Sequence, residues 1–510
     1  MNVRKGVKNI VYSILGQAIT MILGIVIPRL VIVSYGSEVN GLLNSVSQVI
    51  GYLALLEAGV GAAALQALYR PVSDDNRDGV NAIVSATHYY YRRTGVIYFA
   101  VTVVMSFVYP LIIKADLDYW FMAVIILICG IPNVINYFFQ GKLKIFLNAV
   151  GDNYVLTNLQ TVTSVAASLA KIGLLLLGVN VIAVQAIYCV VSLLQMIFIY
   201  AYVKHKYSWI TVKVEPNNEA LSQKNSTLIH QICGIVTNST DVVVLSIFCD
   251  LKIASIYTIY NMIFNIVYNV VQSANNGVTF IIGQSFCKGK EYYKKIIDTY
   301  EAYYLSITSA VMCTACILIN PFLSLYTAGA DIKYTDNILP LLFAGFYFLS
   351  AMRLSSLNTI SAAGHFEQTR KHAIIESAIN LVVSLVLVNV MEHFWGVGLY
   401  GVLIGTIVAL IYRNIVAIHY SNTKILERNS YNSIKIIVSN VFMVTAVLLV
   451  GQLIPINAPD YLTWVLYAIP VFAVIMILFL TLNSVLNPKS FTLIKDYLFN
   501  KIKSRRKKKE

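Results

Sequence analysis

Charge is what this sequence has least of: Asp, Glu, Lys and Arg make up 12% of its 510 residues. A soluble chain of that length carries roughly 25%, so water cannot be the solvent for most of this one. Cysteine is also sparse. The 7 cysteines are scattered singly, and the one Cys-x-x-Cys, Cys313 and Cys316, lies in an apolar run without a histidine or second pair beside it, so it reads as packing and not as a metal or redox centre. No GxxxxGK[ST] phosphate loop occurs, which removes the usual device for using ATP. No small-residue cleavage site follows the first apolar run, which is too long for a leader, so no cleaved signal is expected. Long polar stretches that could form a catalytic domain are missing as well. What remains is 58% hydrophobic with mean hydropathy +0.70 and a formal charge of +14.

A helix needs about 20 apolar residues to cross a bilayer core. Fourteen such spans are predicted: Ile10–Val33, Gly41–Leu65, Gly95–Ile113, Tyr119–Phe139, Leu156–Leu177 and Val181–Val203; then Leu228–Phe248, Ile253–Ile281, Ala302–Leu323, Asn337–Ile360, Ala373–Met391 and Val397–Ile418; then Ile436–Ile454 and Leu462–Leu486. The positive-inside rule tests the count, because a missed span would scramble the alternation. With both termini inside, and Arg413 counted with the inner end of its span, 32 of the 38 Lys and Arg fall inside. Lys114, Lys252 and Lys333 fall outside, and Arg29, Lys171 and Arg353 lie within spans. Such a split argues against nucleic acid as the reason for the net charge: the basic run Arg505–Lys509 reads as a topology signal near anionic headgroups.

The polar stretch 204–227 separates a six-span lobe, 1–203, from a second lobe, 228–418; two further spans occupy 419–486, and 487–510 is a basic tail. The segment Arg29–Glu38 aligns weakly with Asp241–Asp250. Tyr89–Arg93 and Tyr292–Lys295 recur after the second and eighth spans and are expected to lie as interfacial helices. Repeats with an even number of spans share orientation, so a site between the lobes is expected.

Ionisable groups inside spans are costly unless they face water or a partner. Five qualify: Arg29, Glu57, Lys171, Asp241 and Arg353. Arg29 follows Pro28, which cannot donate to the carbonyl of Gly24; it either faces a cavity or snorkels outward. Lys171 has the same two options. Arg353 sits deeper and needs a cavity or an ion pair. Glu57, in Leu55–Gly61, is either the partner of a basic residue or an ion-coupling group. Asp241 follows Thr237–Thr240, so one face of the seventh span is expected to be wet. His230, Glu376 and Arg413 are read as groups near inner ends. Three cations against two anions suit an anionic cargo, for which Arg offers a fork of donors.

The stretches Pro28-Arg29-Leu30, Tyr35-Gly36, Gly41 and Leu55–Gly61 resemble the opening of polysaccharide-biosynthesis flippases of the multidrug/oligosaccharidyl-lipid/polysaccharide transporter superfamily. Asn238–Asp241 with Tyr257 and Tyr260 is similar to the start of that family's second lobe. The resemblance implies an all-α membrane protein, with two six-helix lobes in an inverted V and two peripheral C-terminal helices. It also implies a polyprenyl-diphosphate-linked oligosaccharide as cargo, flipped to the outer leaflet of the bacterial cytoplasmic membrane for capsule, O-antigen or teichoic-type polymers. Arg29 first, then Arg353 and Lys171, would hold the diphosphate; Glu57 and Asp241 would couple protons or sodium; no cofactor is implied. Two rivals are a cation-coupled multidrug exporter, which predicts acids in the first-lobe cavity, and a membrane glycosyltransferase or polymerase. The only acidic pair that could suit the latter is Asp116 and Asp118, expected outside and better read as interface residues.

Overall fold

A computed structural model describes residues 22–53, 60–217, 240–286, 289–452, 456–493 and 495. Among these the chain is all helical. The first helices are α1 (Ile22–Tyr35), α2 (Ser37–Leu53), α3 (Val60–Ser73), α4 (Arg77–Ile112), α5 (Tyr119–Ile135), α6 (Gly141–Ala149), α7 (Asn153–Leu176) and α8 (Val181–Lys206). Next come α9 (residues 240–248), α10 (Leu251–Phe286), α11 (Lys290–Tyr326), α12 (Leu339–Met352) and α13 (Leu354–Ala362). The last are α14 (Phe366–Trp395), α15 (Gly398–Tyr420), α16 (Tyr431–Gln452) and α17 (Tyr461–Leu486).

Ten helices among the described residues are long and apolar enough to cross a membrane, and the chain is a multi-pass membrane protein. They correspond to the third to sixth and ninth to fourteenth predicted spans. The first, second and seventh spans are only partly described. The eighth, α10, is long enough but diluted by Asn261, Asn265, Asn269, Asn275 and Asn276. Glu57, His230 and the basic run Arg505–Lys509 lie outside the described residues.

The chain divides into two compact units, one made of residues up to Thr258 with Gly329–Ile332, the other of Ile259–Ala328 with Lys333 onward. In the first unit, Gly36 joins α1 to α2 at φ +87°, a left-handed conformation that suits glycine. The Ser37 amide beyond it donates to Asp331 Oδ1 at 2.9 Å, so an acid caps the start of α2. A Cβ on Gly41 would lie 1.9 Å from the carbonyl oxygen of Leu251, and that missing side chain lets the two backbones touch. Alongside, Asn40 donates to Ser255 at 2.7 Å, Ser45 meets Ser246 at 2.7 Å and Tyr52 meets Thr240 at 2.6 Å. The polar face expected to be wet on the seventh span is, over its described part, a hydrogen-bonded seam. Hydroxyls find partners on α2 because lipid offers them none.

Tyr89–Arg93 and Tyr292–Lys295 do not form separate interfacial helices; they are turns of α4 and α11, which run 36 and 37 residues. Between each stretch and its span there is no proline to break the ladder, so the helix continues for about 54 Å at 1.5 Å per residue. The tyrosine-bearing part of each helix packs against its neighbours: Tyr91 and Tyr293 are buried. A Cβ on Gly141 would strike the Tyr91 ring, and the Tyr293 hydroxyl donates to Thr359 Oγ1 at 3.0 Å.

In the second unit, α14 and α15 pack through Gly401 and Gly405, a GxxxG spacing. Added Cβ atoms there would lie 2.6 Å from Leu387 and 2.4 Å from the Ser384 side chain. Helices α16 and α17 lie against α11; Asn440 and Asn483 exchange amide hydrogen bonds at 3.2 and 3.1 Å to pin them together. Only 11% of the apolar stretch of α17 is buried, against 67% for α11, so the last helix is peripheral in its unit. Cys313 is buried on α11 and Cys316 half-buried, both free thiols. Asp118 accepts from the Phe121 amide at 2.9 Å and caps α5.

Candidate functional site

Four of the five predicted charges, Arg29, Lys171, Asp241 and Arg353, lie among the described residues. Arg29 sits on α1, half-buried, one residue after Pro28. Lys171 on α7 is only 3% exposed. Its ammonium donates to Gln185 Oε1 at 2.8 Å and lies 3.5 Å from the centre of the Tyr188 ring. Its partners thus come from α8 of the same lobe: an amide and an aromatic face hold the charge where the snorkelling reading would send it outward. Asp241 at the start of α9 is 6% exposed and accepts from the Tyr257 hydroxyl at 2.7 Å, tying α9 to α10.

Arg353 marks the break between α12 and α13, where the sequence reading required a cavity or an ion pair. It is paired: Nη1 lies 2.6 Å from Glu376 Oε1. The other oxygen of Glu376 lies 3.5 Å from Arg413 Nε. Glu376 and Arg413, read from sequence as end-of-span groups, are therefore the inner members of a buried Arg–Glu–Arg triad. Spacing hid it, because the three residues come from three separate segments, α12–α13, α14 and α15. Glu57, the fifth predicted charge, lies outside the described residues. Lys171 and Asp241 are bonded within the first unit, and Arg353 within the second.

A feature the charge search missed is the outward face of α10. Asn265, Asn269 and Ser273 are exposed and Asn261 is half-exposed, a repeat of four residues that stacks them on one side of the helix. Asn269 donates to Asn265 Oδ1 at 2.8 Å, and Ser273 to the Asn269 carbonyl at 2.8 Å. Behind this stripe the helix is anchored by aromatic stacking of Tyr260 and Phe264 on Phe343, and of Phe264 on Tyr347. Tyr347 also donates to Asn261 Oδ1 at 2.7 Å, and Tyr300 and Asn358 both donate to Asn275 Oδ1. An amide transferred to hydrocarbon without partners costs roughly 2–7 kcal/mol, so a row of exposed amides belongs against water or another polar partner. The row carries no charge: beyond Lys252, α10 has no ionisable group except tyrosine. The four-residue asparagine spacing was legible in the sequence, but a search restricted to charge passes over it.

The fold is that of the multidrug/oligosaccharidyl-lipid/polysaccharide transporters. A lipid II flippase, MurJ, in an inward closed conformation matches 94% of this chain and 99% of its own, with TM-score 0.66 and 16% identity. A multidrug-resistance MATE transporter in an inward-facing conformation matches 81% of this chain and 99% of its own, with TM-score 0.60 and 15% identity. The VcmN MATE transporter of Vibrio cholerae matches 83% and 98%, with TM-score 0.52 and 12% identity. No family model and no curated protein sequence matches.

Proposed function

We propose that this chain is a flippase that carries a polyprenyl-diphosphate-linked oligosaccharide from the cytoplasmic to the outer leaflet of a bacterial cytoplasmic membrane by alternating access, for surface polysaccharide assembly. The observation that carries this reading is the uncharged amide and hydroxyl face of α10. Amides both donate and accept, as a hydroxyl-rich saccharide requires, and they provide no fixed negative charge for a cationic drug. The likeness to the flippase also spans more of the chain, 94% against 81–83% for the two MATE transporters.

In this reading Arg29 holds the diphosphate, with Arg353 and Lys171 as further cationic contacts, while the prenyl tail stays in lipid. Glu57 and Asp241 are the groups for proton or sodium coupling. With the Lys- and Arg-rich ends inside, outward transfer of each negative charge gains about 2.3 kcal/mol per 100 mV of interior-negative potential.

The test is translocation of a polyprenyl-diphosphate oligosaccharide in reconstituted vesicles, with the wild type, Arg29→Ala and the double variant Asn265→Leu/Asn269→Leu. A charge-assisted hydrogen bond contributes about 1.5–3 kcal/mol, so Arg29→Ala should slow translocation by about tenfold to a hundredfold. Wild-type rates in both variants, or cation-coupled drug export by the wild type without headgroup transfer, would overturn the proposal.

A further inference from the structure

A cavity of the first unit is lined by none of the groups above and lies at the end of the lobe where Lys and Arg concentrate. Its volume is about 670 Å³, within the range of small-molecule sites. It is built by a segment that continues α8 and folds back over α4. Asp152 pins the corner, where its Oδ2 accepts from Tyr202 at 2.9 Å, Lys206 at 2.6 Å and Tyr207 at 2.9 Å. The returning segment is then strapped to α4. The Thr211 amide donates to Asn81 Oδ1 at 3.0 Å, Ser85 donates to the Val214 carbonyl at 2.8 Å, and the Asn217 amide to the Ala82 carbonyl at 3.1 Å. Backbone held by side-chain partners on a helix makes a preformed wall.

The lining has two chemistries. Lys142 of α6, Lys204 of α8 and Lys213 of the strap supply three cations, and no acidic side chain lines the cavity. Lys142 contacts His88 Nδ1 at 2.8 Å, and none of the three lysines is in an ion pair among the described residues. The other wall is apolar and open to the outside: Phe139, Ile197 and Tyr200 are 53%, 58% and 59% exposed. Phe139 lies in a π-turn, Asn136–Gln140, a local widening that changes side-chain direction.

We infer that this pocket is a binding site for an anionic phospholipid of the cytoplasmic leaflet, its phosphate held by Lys142, Lys204 and Lys213 and its first acyl carbons against Phe139, Ile197 and Tyr200. Basic pockets at the cytoplasmic ends of membrane helices take anionic headgroups. A free anion would use the lysines but leave the exposed apolar wall without a purpose, whereas a lipid uses both. The inference rests on the orientation proposed above and is independent of the cargo.

The experiment is lipid retention by the full-length protein in detergent, measured by native mass spectrometry with phosphatidylglycerol and phosphatidylcholine. The wild type should bind phosphatidylglycerol the more tightly. Lys204→Gln/Lys213→Gln, both at exposed positions, should weaken it by about fivefold per lysine, the factor equivalent to about 1 kcal/mol for each basic residue, and leave phosphatidylcholine unchanged. Lys204→Arg/Lys213→Arg should retain wild-type binding. Equal retention of the two lipids by the wild type overturns the proposal, as does unaltered phosphatidylglycerol binding by the Gln variant. Displacement by an equal concentration of glycerol phosphate overturns the lipid assignment. Loss of translocation with lipid binding intact would bear on the proposed cargo and leave this site standing.

Discussion

Replacing Glu376 by Gln should be among the most damaging single changes in the second unit, and its cost can be worked from the triad. The carboxylate is 8% exposed and faces Arg353 at 2.6 Å and Arg413 at 3.5 Å, whose side chains are 26% and 10% exposed. Gln keeps the shape and one acceptor but removes the charge, leaving two guanidiniums close together with no counter-ion. Breaking a buried ion pair in this way costs about 3–5 kcal/mol. Because Arg353 retains about a quarter of its exposure, water relieves part of that, and about 3 kcal/mol is expected, a shift of roughly 150-fold in the folding equilibrium. Reversible denaturation in mixed micelles, followed by circular dichroism, reads this directly. The triple change Arg353→Met/Glu376→Leu/Arg413→Met should recover most of the loss, since an apolar replacement of the whole cluster strands no charge. A Glu376→Gln protein within about 0.5 kcal/mol of wild type would refute the reasoning, because the three groups could not then be sharing a desolvated site.

Asp152, outside the spans, supplies a pH dependence. Burial raises its pKa, but the donors Lys206, Tyr207 and Tyr202 more than offset this and hold it below the usual carboxylate value. A depressed folded-state pKa gives stability that is complete above the unfolded pKa, near 4, and is lost as pH falls through the folded value. Asp152→Ala should therefore cost about 2 kcal/mol at neutral pH, and the gap to wild type should close progressively below about pH 4; a gap independent of pH would contradict the assignment. At the α14–α15 contact, Gly405→Leu forces a side chain into Ser384, where even a Cβ would lie 2.4 Å from its Oγ. Overpacking costs typically about 1–3 kcal/mol, to be seen as a lower melting temperature in detergent, whereas Gly173→Leu, with no atom within 4 Å of its Cβ position, should be neutral.

The membrane class and the helical fold were legible because hydropathy is additive along the chain: each span declares itself without its neighbours. Partnerships were not legible. Arg353 carries no local mark that Glu376, 23 residues on, will reach it, and Lys171 carries none that Tyr188 will cover it. The tyrosine-rich stretches misled for a related reason. Tyr beside Arg suits headgroups, but the same composition serves a long helix that packs against its neighbours and buries rings, as at Tyr91 and Tyr293. Thr237–Thr240 promised a wet face, and the one of these among the described residues, Thr240, meets Tyr52 instead, since a hydroxyl in lipid is satisfied as well by another side chain as by water.

The same contrast bears on how the cargo would be recognised. A charge buried in a membrane protein demands a partner at once, and Arg353, Lys171 and Asp241 each have one from a neighbouring segment. Groups with partners of that kind bind a passing ligand only by sharing those bonds, so Arg353 and Lys171 would add to the hold of Arg29 on a diphosphate without carrying it. Neutral amides are under no such demand. Asn265 and Asn269 form one hydrogen bond with each other and, with two donors and two acceptor lone pairs per side chain, keep most of their capacity unspent. A face of this kind can exchange water for sugar hydroxyls with little net change per bond, about 0.5–1.5 kcal/mol each. Cargo held that weakly at many points can also be released. The argument requires that Asn265→Asp/Asn269→Asp, which keeps acceptors but adds two negative charges beside a diphosphate-bearing substrate, impairs translocation at least as much as the leucine pair; faster transport of the anionic cargo by the Asp pair would show that this face does not meet it.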